Sequence, residues 1–178
     1  MSSIKNHDFP QEKNAIVGGT LYLVATPIGN LADIPERAKK VLSEVDFVAA
    51  EDTRNSGLLL SRLGLHKPMV SYHDHNRAER GPEIIERLKN GESCALISDA
   101  GMPAISDPGE DLVALCAREG IRASIIPGAC AAVSALSISG LPTSKFAFEG
   151  FLPVKSSERK ERLTFLQGET RTMILHEA

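Results

Sequence analysis

The feature that most constrains this chain is an alternation of short apolar, β-rich runs with amphipathic stretches, punctuated by Gly and Pro. TLYLVA at 20–25, VDFVAA at 45–50, MVSY at 69–72, SCALIS at 93–98 and IRASII at 121–126 each read as a strand. Helices are expected between them. Asp33, Pro35 and Glu36 form a capping-box pattern that predicts a helix through about Ser43. Further helices are expected over 56–63, closed by Gly64, over 82–88, ending at Asn90-Gly91, and over 110–118, closed by Gly120. After Pro127-Gly128 an alanine-rich helix runs toward Gly140. Strands that alternate with helices make right-handed βαβ units, so the expected fold class is α/β with a doubly wound parallel sheet.

The same grammar resumes after Leu141-Pro142, with a strand at 145–151, a charged helix from Ser156 and a strand at 172–176. A lone βαβ unit cannot bury both faces of its sheet. The expected organisation is a leader at 1–19, an α/β domain at 20–143, and the incomplete start of a second α/β domain at 144–178. The leader is polar and lacks an apolar signal core, which predicts disorder rather than export.

Composition narrows the function classes. With no Trp and only 4 % aromatic residues, the core has to be aliphatic. Cys94, Cys116 and Cys130 are odd in number and scattered, with no C-x-x-C pair, so neither a disulfide framework nor a zinc site is indicated. Reduced thiols and the lack of a long apolar run predict a cytoplasmic protein without a membrane span. A net charge of −3 gives no general argument for nucleic-acid binding. The mixed run from Lys155 to Arg171 reads as a solvated helix face.

Three loops leave the carboxyl ends of expected strands: TPIGN at 26–30, DAGMP at 99–103 and IPGAC at 126–130. In a doubly wound sheet such loops meet in the crevice where ligands bind. Neither G-x-x-x-x-G-K-[ST] nor a post-strand G-x-G-x-x-G is present, so phosphate cradling is unsupported. Loops of Pro, Gly and Ala with a single Asp99 suit an uncharged or zwitterionic ligand, with Asp99 accepting from an ammonium or a hydroxyl.

VATPIGNLADI, AAEDTR, HDHN, ISDAGMPAISDPG, IPGACAAVSAL and FEGFLP occur in this order over residues 19–178. Together they resemble the bacterial ribosomal RNA small-subunit methyltransferase I family of the tetrapyrrole methylase superfamily. Two positions depart from that pattern: Met102 stands where the family usually has Thr, and Ala129 where it usually has Pro. Family members also continue for about another hundred residues, the size of a further α/β domain. His176-Glu177-Ala178 matches the start of their next motif.

The resemblance implies S-adenosylmethionine held between two α/β domains, and methylation of the ribose 2′-oxygen of a cytidine in 16S ribosomal RNA of the small subunit. It carries cofactor contacts to Pro27 and Gly29, to Asp99, Ala100 and Gly101, to Ile105, and to Pro127, Ala129, Cys130 and Ala131. It also implies a homodimer. A hydroxyl nucleophile must lose its proton, and Glu51 and Asp52 are candidates for the base, with helix capping as the competing reading. Arg54 suits a phosphate ion pair. His73 and His75 on alternate positions invite a metal, but a third ligand at matching spacing is missing, so no metal is expected. With Asn76 they are assigned instead to polar RNA contacts. Two other readings stay open: a methylase of tetrapyrroles or other small molecules, and a non-catalytic RNA-binding or dimerisation module.

Overall fold

The structure is a computed structural model that describes residues 15–177; residues 1–14 of the expected leader lie outside the described residues. Five strands form one parallel sheet in the order β3-β2-β4-β1-β5. They are β1 (Thr20–Val24), β2 (Phe47–Ala50), β3 (Met69–Ser71), β4 (Cys94–Ile97) and β5 (Arg122–Ile126). The connecting helices are α1 (Glu36–Glu44), α2 (Thr53–Arg62), α3 (Arg77–Lys89) and α4 (Glu110–Arg118), and α5 (Ala131–Ile138) follows β5.

From β1 the chain steps through β2 to β3 in one direction, then returns through β4 to β5. Right-handed crossovers therefore send α1 and α2 to one face and α3 and α4 to the other. The core divides accordingly. Tyr22, Val24, Val48, Ala50, Ala95 and Ile97 pack with Ala38, Val41 and Leu42 of α1 and Leu60 of α2. Their neighbours Leu21, Phe47, Ala49, Cys94 and Leu96 pack on the other face with Ile84, Ile85 and Leu88 of α3 and Leu112 and Cys116 of α4. The strands are buried on both sides, which is why they read as near-continuous apolar runs. Burial holds the Cys94 thiol well above its ordinary pKa and pushes Cys116 up to about 11, so both behave as small core residues.

A second sheet pairs β6 (Phe146–Phe151) with β7 (Thr172–His176) in parallel across the crossover helix α6 (Ser156–Leu166). The register slips between Phe148 and Gly150, where Gly150 takes a left-handed φ of +63°. Ile174 of β7 packs against Ala132 and Leu136 of α5, tying this unit to the chain before it. Among the described residues no helix is long and apolar enough to cross a membrane.

Three helix starts differ from the sequence expectation. Asp33 does not cap α1; it sits in a short 3-10 turn (Leu31–Asp33) whose cap is Asn30, and Pro35 precedes α1 with no side-chain cap bond. α2 begins at Thr53 because the Asp52 carboxylate accepts from the Arg54 N–H and caps it. α3 begins at Arg77, with Pro82 inside it. Proline is favoured at the first helical position, so Pro82 read as a start; here the preceding turn is fixed by Asn76, and the helix tolerates the one missing N–H.

Candidate functional site

The sheet reverses its direction of growth between the neighbours β1 and β4, so the chain leaves their carboxyl ends toward opposite faces. That divergence opens a crevice. Register brings the exits level: Ala50 lies opposite Ile97, Leu23 opposite Leu96, and Val24 opposite Ile126. The loops after β1 and β4 then tie to each other. The Thr26 N–H donates to the Gly101 carbonyl at 2.8 Å, the Gly101 N–H returns to the Thr26 carbonyl at 3.2 Å, and the Thr26 hydroxyl donates to the Ser98 carbonyl at 3.2 Å.

Gly101, with φ +86°, is where three loops meet: a Cβ there would stand 3.1 Å from Ile28 Cγ2 and 3.5 Å from the Ala129 carbonyl oxygen. Further along the same loop Ala104 and Ser106 hold left-handed φ of 66° and 60°, uncommon for residues with a Cβ. The loop is closely packed. Gly109 presses against Leu96, where an added Cβ would come within 2.6 Å of Cδ2, and the Ser106 hydroxyl lies 3.0 Å from where a Cβ on Gly150 would be.

Over these loops opens a cleft of about 450 Å³. One wall is apolar, built by Ile28, Met102 and Ile105 with Ala131 and Ala132 of α5. Glu51, Asp99 and Asp107 supply carboxylates, and neither Lys nor Arg lines it. Phe151 and His176 of the second sheet, with Glu177 just past β7, close the far side. The His176 ring stands edge-on to Phe148 and Phe151, with centroids 5.2 Å apart in each case, and its Nε2 is buried without a hydrogen-bond partner.

The carboxylates differ sharply. Burial first, then the charges of Asp107 and Asp99, raises the Glu51 pKa above the ordinary carboxylate value. Burial likewise raises Asp107. Asp52, one residue from Glu51, goes the other way. Its Oδ1 accepts from the Arg54 N–H at 2.8 Å and from Nε at 3.1 Å, and its Oδ2 accepts from Nη2 at 2.7 Å. Those bonds hold Asp52 down to about 2. Asp52 is thus a helix cap committed to Arg54.

Of the sequence-derived candidates, Glu51, Asp99, Ala100, Gly101, Ile105, Cys130 and Ala131 share the cleft. Ala129 stands behind Gly101, and Pro127 sits exposed at the end of β5. Pro27 and Gly29 instead line an adjoining hollow of about 300 Å³ that shares Asp99 with the cleft. The segment His73–Asn76 is a turn and not a strand, so the alternate-face argument for its histidines does not apply. Asn76 spends its amide on the turn, accepting from the His73 N–H at 2.9 Å and donating to the Ser71 carbonyl at 3.0 Å. The His75 N–H donates to His73 Nδ1 at 3.3 Å.

Sequence reasoning did not single out Asp107, Phe151, His176 or Glu177 as site residues. Asp107 lay within the quoted loop, and His176 ends a parallel strand, the position that yielded the other candidates.

A family model for tetrapyrrole (corrin/porphyrin) methylases matches residues 20–178. The chain is 54 % identical over 160 residues to the ribosomal RNA small subunit methyltransferase I of Haemophilus influenzae, covering 90 % of this chain and 56 % of that protein. It is 52 % identical to the protein of the same name from Synechocystis sp., covering 90 % and 57 %. The chain thus spans little more than half the length of these curated relatives. Among solved structures, a diphthine synthase matches with a TM-score of 0.67 at 18 % identity, over 88 % of this chain and 64 % of that one. A uroporphyrin-III C-methyltransferase from Thermus thermophilus matches with a TM-score of 0.58 at 23 % identity, over 83 % and 74 %. The last two likenesses concern the fold alone, and it is the doubly wound sheet with its crevice. The chain belongs to the tetrapyrrole (corrin/porphyrin) methylases.

Proposed function

We propose that the cleft binds S-adenosylmethionine and that the protein methylates the ribose 2′-oxygen of a cytidine in 16S ribosomal RNA of the small subunit. The observation that carries this reading is the lining of the cleft: the four carboxylates of Glu51, Asp99, Asp107 and Glu177, an apolar wall and no Lys or Arg. Such a lining favours a cation with a flat ring and disfavours a polyphosphate. The name carried by the relatives supports the substrate class. The separate β6/β7 sheet supports treating 144–178 as the start of a second α/β domain, and a ribosomal substrate fits residence in the cytoplasm.

When bound, S-adenosylmethionine supplies an electrophilic methyl on a sulfonium centre. Asp99 would accept from its ammonium or a ribose hydroxyl, and Ile28, Met102 and Ile105 would cover its ring. Gly101 and Ala131 leave that space open because neither carries a bulky side chain. Holding a nucleophile in line is worth about 7–11 kcal/mol in well-oriented cases. Removing the hydroxyl proton adds about 10²–10⁴-fold. Glu51 is the better base of the two candidates. It lines the cleft, and its pKa is raised above the ordinary carboxylate value, whereas Asp52 is tied to Arg54 and is the weaker base.

The test is transfer of a tritiated methyl from S-adenosylmethionine to purified small ribosomal subunits, with uroporphyrinogen as the competing acceptor. The expected product is 2′-O-methylcytidine after nuclease digestion. Labelled uroporphyrinogen, or label on a base, overturns the reading.

A further inference from the structure

The hollow beside the cleft is lined by one stripe of α2, Asn55, Leu58, Leu59 and Arg62, facing Pro27, Gly29 and Leu31 of the β1 loop. Spacings of three and four residues put those four side chains on a single helix face. That face is not packed on the sheet, since the α2 residues buried there are Ser56 and Leu60. Leu58 is 64 % exposed, and Leu31, which shares the hollow, is exposed too. Leu58 is thus a large aliphatic side chain left in solvent on a helix that otherwise segregates its faces. Arg62 ends the stripe and makes no ion pair among the described residues. At the other end the Asn55 amide donates to Asp99 Oδ2 at 2.9 Å, and Asp99 is the one residue that lines both the hollow and the cleft.

Resting on the methyltransferase reading, we propose that this hollow receives the acceptor nucleotide of the RNA. Leu58, Leu31 and Pro27 would take the face of the base, and Arg62 would take a flanking phosphate. The Asn55–Asp99 pair would meet the sugar at the boundary with the cleft. A methyl acceptor has to sit against the cofactor, and the hollow abuts the cleft through Asp99. The cleft offers no cation for a phosphate, whereas the hollow offers Arg62. The mixture of apolar wall, amide and guanidinium is that of a site for an unstacked nucleotide.

The experiment measures methyl transfer to small ribosomal subunits by the wild-type protein and by Arg62→Ala, Arg62→Lys and Leu58→Glu, with cofactor affinity followed in parallel by calorimetry. Arg118→Ala, on α4 at the opposite face, serves as the charge control. Arg62→Ala is expected to raise the KM for subunits about tenfold and to lower the salt slope by about one, as loss of a single phosphate contact does. Arg62→Lys should recover part of that loss, Leu58→Glu should lose at least as much as Arg62→Ala, and cofactor affinity should not move. If wild type transfers methyl and the α2 variants match it, or if Arg118→Ala is as harmful as Arg62→Ala, the acceptor site is wrong while the methyltransferase reading stands. If wild type transfers no methyl to subunits, both fall.

Discussion

Glu51 and Asp52 are adjacent carboxylates that the fold drives in opposite directions. Glu51 leaves β2 into the cleft, where burial and the charges of Asp107 and Asp99 favour its protonated form. A folded-state pKa raised above the unfolded value means that the native state holds the extra proton. Glu51 therefore costs stability as pH climbs from the ordinary carboxylate range through the raised value. Glu51→Gln removes that cost. It is expected to raise Tm at pH 7, with the gain vanishing near pH 4, and to cut methyl transfer by about 10²–10⁴-fold. Asp52→Ala should show the reverse pattern. It loses the α2 cap and the Arg54 pair and so lowers Tm, yet costs less than tenfold in rate. Thermal melts across pH, run beside the transfer assay, separate the two residues.

At the scale of elements, the loop from Ser98 to Gly109 shows how packing positions a site. Gly109 precedes α4 at φ +137°, with Leu96 directly beneath it. Gly109→Ala should cost about 1–3 kcal/mol through backbone strain and the clash with Leu96, read as a lower urea midpoint with an unchanged slope. The strands were legible from sequence because burial on both faces writes itself as apolar runs. Helix starts were less so. The Asp33 pattern had the right spacing, but Asn30 took the capping role, and Pro82 suggested a start that the turn at Asn76 moved upstream. Each miss is a local signal overruled by a hydrogen bond from another residue. The three Pro- and Gly-rich loops were legible as a site because strand order alone brings them together. Phe151 and His176 were not, since nothing local in β6 and β7 reports that their ends face Asp107 and Ile105 across the cleft.

For the molecule as a whole, the decisive fact is the reversal of strand order between β1 and β4. It separates the two helix layers, opens the crevice at the sheet's carboxyl edge, and lets the ends of β6 and β7 close it. The measurement that tests this most directly is a calorimetric titration of S-adenosylmethionine into the protein and into Ala131→Phe. Ala131 is exposed at the start of α5 and lines the cleft, so the larger side chain fills the cleft without disturbing the core. One site per chain is expected in the wild type, and at least a tenfold loss of affinity in Ala131→Phe with its melting curve intact. Equal binding by both proteins, or no binding by the wild type, would contradict it.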